Sequence, residues 1–403
     1  MNQPVSARHS TFLLVLAFIG FISLGLPDAV IGVAWPSVRD TFRLRQEAIA
    51  LVLVISGIGY LASSFLAGRL MQSMGIGLVL AASTGLVSAA MFGFAYSPLW
   101  IAFLCCAWVH GLGSGAIDSG LNGYAAHHMS TRSLIWLHAC YCFGALIGPV
   151  LMSSILASGR HYSAGYASVG GIMLAMSVLF LITFRSWGEI SSPSTPESPA
   201  EPKAPPVRPR VALKYAAVWL QMAVFFLYTG LEVTFSQWTY TVLTESQRVS
   251  PVTAGVVVGV YWGCIGVGRI ISGMIADRVG IDRLLRCCLL CAGSGAILMA
   301  SRLPVEVAFL GISLVGLGLA PVFPCLMSRT PRRLGTQISA HAIGFQVGAA
   351  MIGAAVVPGT LGLFAGIGGL EMVPLGTVVL FGLLGFLHER LLCFPDVGTS
   401  NPS

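Results

Sequence analysis

Twelve long apolar runs, separated by short polar stretches, constrain this chain more than any other feature. They read at 12–36, 47–70, 76–96, 98–127, 132–157 and 162–184, then at 213–241, 252–276, 283–301, 303–328, 334–361 and 367–389. Most exceed or approach the roughly 20 apolar residues with which a helix crosses a bilayer. Inside hydrocarbon a backbone must satisfy its own hydrogen bonds, which a helix does and an open strand does not. The expected fold is an all-α membrane protein with twelve transmembrane helices. Composition agrees: 9% of the 403 residues are charged and 56% hydrophobic, so the charged share is about a third of a soluble domain's. The first run is longer than a signal peptide's apolar region and carries no small-residue cleavage site, so it is expected to remain as helix one.

The net charge of +7 does not indicate nucleic acid, because the basic residues are scattered through short loops. Their sidedness reports orientation instead. With the N-terminus inside, Arg39, Arg43, Arg45, Arg160, Arg248 and Arg302 fall outside. The other sixteen of the 22 Lys and Arg residues, Arg269 among them, are assigned to the inner side. Both termini are therefore expected in the cytoplasm, with the chain in a bacterial-type inner membrane. The ten cysteines lie mostly within apolar runs, where they act as small buried hydrophobes. The pair Cys288 and Cys291 lacks His partners, and no metal site is expected.

Between the sixth and seventh runs, Pro193, Pro196, Pro199, Pro202, Pro205, Pro206 and Pro209 alternate with Ser, Glu and Lys. Such a stretch cannot bury a core. The chain accordingly divides into an N-terminal six-helix half (1–184), a disordered Pro-rich cytoplasmic linker (185–210) and a C-terminal six-helix half (211–403). The halves repeat each other: at an offset of 205 residues, Gly25-Leu26 meets Gly230-Leu231, Gly68 meets Gly273, Gly75 meets Gly280, and Gly111-Leu112-Gly113 meets Gly316-Leu317-Gly318. Two parallel six-helix repeats suit a protein that rocks around a central site.

Three acids lie deep in the apolar runs: Asp28, Asp118 and Glu232. A carboxylate in hydrocarbon costs several kcal/mol, so each should face a water-filled cavity, hold a partner or carry a proton. Asp28 and Glu232 sit at nearly equivalent repeat positions and are the candidate cation-coupling groups. Asp118 and Asn122, four apart, share a helical face and offer the acceptors and donors that paired hydroxyls would bind. Tyr228 shares a face with Glu232, and Trp238 and Trp262 are candidate aromatic plates for an apolar ring face. His138 and His341, in corresponding helices of the two halves, complete the candidate substrate-binding set with Glu232. His110 is set aside, because Gly111, Gly113 and Gly115 mark a close helix contact. Trp35, Trp100, Trp187 and Trp219 lie near helix ends and read as interfacial residues.

The run Gly273-Met274-Ile275-Ala276-Asp277-Arg278-Val279-Gly280 resembles the Gly-x-x-x-Asp-Arg-x-Gly loop of the major facilitator superfamily. The resemblance covers essentially the whole chain. It implies that Asp277 and Arg278 form a conformational latch, whereas Gln72 and Ser73 stand where the first half should repeat the Asp and Arg. Gly25-Leu26-Pro27-Asp28 in helix one and Gly115-Ala116-Ile117-Asp118-Ser119-Gly120-Leu121-Asn122-Gly123-Tyr124 in helix four resemble the fucose and glucose cation symporter branch. That branch usually has Glu-Thr-x-x-Asn-Pro in helix four, where this chain has Asp118, Ser119 and Gly123.

The resemblance implies a monomeric secondary transporter that takes up a sugar or related polyhydroxylated solute with protons, or alternatively sodium, and needs no other cofactor. Gly144-Ala145-Leu146-Ile147-Gly148-Pro149 resembles the core of an exporter motif and keeps drug or metabolite efflux as the alternative. No hydrolase elbow, zinc-protease motif or phosphate-binding loop is present, so an enzyme is not expected.

Overall fold

The computed structural model describes residues 7–129, 131–190, 209–301 and 304–394, and among these all regular structure is helical. Twelve helical spans are long and apolar enough to cross a membrane. They are α1 (Phe12–Phe42), α2 (Gln46–Met74), α3 (Ile76–Tyr96), α4 (Trp100–Ala125), α5 (Trp136–Ala157), α6 (Tyr162–Ile182), α7 (Ala216–Ser246), α8 (Pro251–Ala276), α9 (Ile281–Ala300), α10 (Val305–Leu334), α11 (His341–Gly368) and α12 (Met372–Leu392). Because six spans precede the linker and six follow it, both chain ends and the linker share one face, here the terminal face.

Residues 185–190, expected to open the linker, instead belong to a 3₁₀ helix, Phe184–Ile190. Trp187 is the reason: it is buried, edge-on to Tyr124 at 5.0 Å and to Phe180 at 6.4 Å, so this segment has apolar surface to hide. Residues 191–208 of the expected linker lie outside the described residues. Trp35 is likewise fully buried, against its interfacial reading; its indole N–H donates to Gln46 Oε1 at 3.3 Å.

Glycine sets the close crossings within the first half. A side chain at Gly59, Gly111 or Gly115 would collide with backbone across the α2–α4 contact, at Trp108, Ser56 and Tyr60 respectively. Gly25, Gly144 and Gly148 do the same between α1 and α5. In lipid, where no hydrophobic effect drives helices together, such backbone approach is what makes packing strong.

The halves meet through α5 with α8, α2 with α11, and α1 with α7. The α2–α11 contact lies at the face opposite the termini: Gly359 packs on Ala50, and Gly362 and Gly366 approach Glu47. Further along the same two helices, a Cβ at Gly57, Gly68, Gly344 or Gly348 would meet nothing within 4 Å. The two helices touch at one end and diverge toward the terminal face. At the touching end Arg39 of α1 grips Glu245 of α7 with two contacts of 3.0 Å, and Gln46 adds a third at 3.0 Å. The molecule is closed at the face opposite the termini and parted toward the terminal face.

Candidate functional site

Pro27 has no N–H, so the carbonyl one turn earlier loses its helical donor. The helix Ala7–Asp28 ends one residue beyond it, and Val30–Phe42 resumes after a turn at Ala29. Asp28 thus stands at a break inside a membrane span, where freed backbone and a carboxylate meet. Beside it opens a cavity of ≈ 320 Å³ between the halves. That is at the small end of the roughly 300–1,000 Å³ of small-molecule sites.

All three intramembrane acids line this cavity, and each is held by a tyrosine. Tyr141 of α5 donates to Asp28 Oδ2 at 3.0 Å. Tyr60 of α2 donates to Asp118 Oδ2 at 2.6 Å, and Asn122 donates to Oδ1 at 2.9 Å. Tyr228 donates to Glu232 Oε1 at 2.8 Å. The same Oε1 lies 3.4 Å from Nη2 of Arg269, whose Nη1 reaches Cys142 Sγ of the other half at 3.6 Å. Trp262 stands edge-on to Tyr141 at 5.8 Å across the interface, with its indole N–H donated to Ser236 at 3.1 Å.

The remaining candidates divide by position. His138 lines the cavity, edge-on to Phe21 at 5.5 Å. Asn122 and Tyr228 do not line it; they hold Asp118 and Glu232 from behind. Trp238 is buried apart from it, with its indole N–H on the carbonyl of Pro358 at 3.0 Å, which is where packing against Gly362 puts it. His341 also lies outside the cavity lining. Arg278 is exposed near the end of the helix Pro251–Val279, and the side chain of Asp277 lies outside the described residues.

Arg269 corrects its assignment to the inner-side loops. It lies within α8, its side chain 16% exposed, paired with Glu232 and lining the cavity. Seven residues separate it from the end of that span at Ala276, about two helical turns of depth, which was the signal that could have found it. Tyr60 and Tyr141 were also missed, as nothing along the chain announces which mid-helix tyrosine faces an acid in another helix.

The family model described as Major Facilitator Superfamily matches residues 16–358. The chain belongs to the major facilitator superfamily. Its architecture of two six-helix halves around a central cavity is that of this family of transporters, and the fold agrees with solved members. A bacterial homolog of the human lysosomal transporter Spinster, in an inward-facing and occupied conformation, superposes with a TM-score of 0.74 at 11% identity, over 96% of this chain and 98% of that one. A variant of the nucleoside transporter NupG does so with a TM-score of 0.76 at 13% identity, over 95% and 99%.

Among curated relatives, Bypass of stop codon protein 6 of Saccharomyces cerevisiae is 23% identical, over 94% of this chain and 82% of that protein. The Sodium-dependent glucose transporter 1 of Homo sapiens is 22% identical, over 93% and 77%. This superfamily member is therefore an integral membrane transporter of a small solute.

Proposed function

We propose that this transporter carries a sugar or related polyhydroxylated solute into the cell, driven by a cation gradient, with both termini in the cytoplasm of a bacterial-type inner membrane. The observation that carries the reading is the convergence of Asp28, Asp118 and Glu232, from three helices and both halves, on one central cavity. Glu232 is matched there by Arg269. Asp28 and Asp118 have only neutral partners or a histidine among the described contacts. Charge in such a place is expensive unless it is carried, released or paired in turn.

A polyhydroxylated solute suits the rest of the lining. Asp118 and Glu232, with Ser56, Ser236 and Gln237, give the lining carboxylate, hydroxyl and amide groups of the kind that bond hydroxyls. The Trp262 and Tyr141 rings offer apolar plates beside them. The human relative's name, which couples sodium and glucose, points to the same kind of cargo. Gly144 and Gly148 of the exporter-like motif pack against Ile22 and Leu26 at the α1–α5 crossing.

The test is a panel of D-glucose, L-fucose, D-glucuronate, uridine and the lipophilic cation tetraphenylphosphonium, screened by thermal shift on purified protein. Uptake of whatever stabilises it is then followed in proteoliposomes under imposed proton or sodium gradients. Stabilisation and gradient-driven accumulation of a hydroxylated member support the reading. Stabilisation only by lipophilic cations, with export from cells, would replace it.

A further inference from the structure

We infer that the cargo carries a positive charge of its own: the transported solute is a polyhydroxylated amine, an amino sugar or its like, whose ammonium group binds Asp118. The inference rests on the sugar reading above and names the class of sugar.

The charges that line the cavity do not cancel. Among the described lining residues stand three carboxyl groups, Asp28, Asp118 and Glu232, against a single arginine, Arg269. Arg269 is committed to Glu232, its Nη2 lying 3.4 Å from Oε1. The C-terminal half therefore presents a neutral pair. The N-terminal half contributes two carboxyl groups to the described lining and neither lysine nor arginine. On the reading above, the coupling cation answers Asp28. Asp118 is then left without a counter-charge, in a membrane interior where an ionised carboxylate is costly unless a cation meets it. The cargo is the component that remains to bring one.

The cavity's histidines stand elsewhere. His110 lies 3.5 Å from Asp28, and His138 is edge-on to Phe21. The described contacts of Asp118 are with Tyr60 and Asn122, both neutral.

The way Asp118 is held leaves room for an ammonium group. Tyr60 takes Oδ2 at 2.6 Å and Asn122 takes Oδ1 at 2.9 Å. A carboxylate has about four lone-pair sites, so each oxygen keeps capacity for a further donor. A sugar hydroxyl would bring one hydrogen and no charge, whereas an ammonium brings three hydrogens and cancels the carboxylate's charge. The two held oxygens also fix the direction in which that charge acts, because Tyr60 belongs to α2 and Asn122 to α4 itself.

The same half surrounds Asp118 with rings. Phe21, Tyr60, Phe94 and Tyr166, from α1, α2, α3 and α6, all line the cavity, with Phe94 and Tyr166 packed at 5.2 Å. Ring faces attract an ammonium where aliphatic walls do not. Across the cavity α7 supplies Glu232, Ser236 and Gln237, the groups suited to hydroxyls. Amine and hydroxyls of one solute would thus engage different halves, so its binding spans the surface along which the halves move.

The test compares matched pairs by calorimetry on purified protein in lipid, at a pH where the amines are protonated. The pairs are D-glucose with D-glucosamine, D-galactose with D-galactosamine, and D-mannose with D-mannosamine; in each, one hydroxyl is replaced by an ammonium. In the pair that suits the site, the amine should bind more tightly by about tenfold or more, the low end of what a close charge pair contributes. N-acetylation of that amine keeps the nitrogen, removes the charge and should abolish the preference. Asp118→Asn should abolish it as well, whatever it does to the absolute affinities, and Asp118→Glu should retain it. Should Asp118→Asn fail to purify as folded, monodisperse protein, the wild-type comparison of amine, acetylated amine and neutral sugar decides the question alone.

Neutral sugars bound as tightly as their amines in all three pairs would overturn the inference and leave the sugar reading standing. Binding of no amine would overturn it equally. A preference for the amine that survives Asp118→Asn would remove the assignment to Asp118. Response to tetraphenylphosphonium alone, with no sugar or amine bound, would overturn this inference and the sugar reading together.

Discussion

Asp118 shows how one carboxylate can be fixed for recognition. Its two oxygens are taken by Tyr60 at 2.6 Å and Asn122 at 2.9 Å, which aims the group without adding a charge. Truncating a buried hydrogen-bonding partner costs about 1–3 kcal/mol. Asp118→Ala should therefore weaken binding of the transported solute roughly tenfold to a hundredfold, read by calorimetry on folded protein. Asn122→Ala, acting through Asp118, should fall at the lower end of that range.

Arg269 poses the opposite problem, since it is itself a buried charge. Breaking a buried pair by removing one partner costs roughly 3–5 kcal/mol, whereas removing both can be nearly neutral. Arg269→Gln should lower the thermal midpoint of the detergent-solubilised protein markedly, and the double variant Glu232→Gln with Arg269→Gln should recover most of it. A double variant that loses as much as Arg269→Gln and Glu232→Gln lose separately, added together, would show that the pair contributes no coupling. The three acids were legible along the chain because a carboxylate in an apolar run has no bland place to go. Asn122 and Tyr228, partners on the acids' own helices, were legible too; Tyr60, Tyr141 and Arg269 were not, because spacing along a run says nothing about which neighbouring helix a side chain faces.

Among the helices, two kinds of device place the site: the break in α1 and the glycine crossings. Pro27 beside Asp28 announced the first, and Gly111, Gly113 and Gly115 announced the second as a close contact on α4. What the repeat pattern did not reveal is that the halves differ, for α1 breaks at Ala29 while the equivalent helix, Ala216–Thr241, runs on without interruption. The crossing is testable by bulk. Gly111→Ala would drive a methyl into the Ser56 carbonyl, whereas a methyl at Gly57 meets nothing within 4 Å. Overpacking costs about 1–3 kcal/mol, so Gly111→Ala should depress thermal stability and Gly57→Ala should not, as read by tryptophan fluorescence on heating.

At the scale of the whole molecule, the two halves are gripped at one face and parted toward the other. The grip joins Arg39 and Gln46 to Glu245, at the opposite end of the protein from Asp277 and Arg278. An interaction made in one state alone biases the population by its own free energy. Arg39→Gln should shift the protein away from the state seen here and raise cysteine labelling at cavity positions reached from the Arg39 face; unchanged labelling would show the pair to be incidental.

The central claim, that cavity acids turn a cation gradient into solute movement, is tested most directly by Asp28→Asn in proteoliposomes loaded with the best-bound member of the sugar panel. Exchange of labelled for unlabelled solute across the membrane should persist, because the amide keeps the shape of the site. Accumulation against a gradient should vanish, because the amide cannot bind and release the coupling ion. Accumulation at the wild-type level, with the same dependence on the imposed cation gradient, would contradict the account.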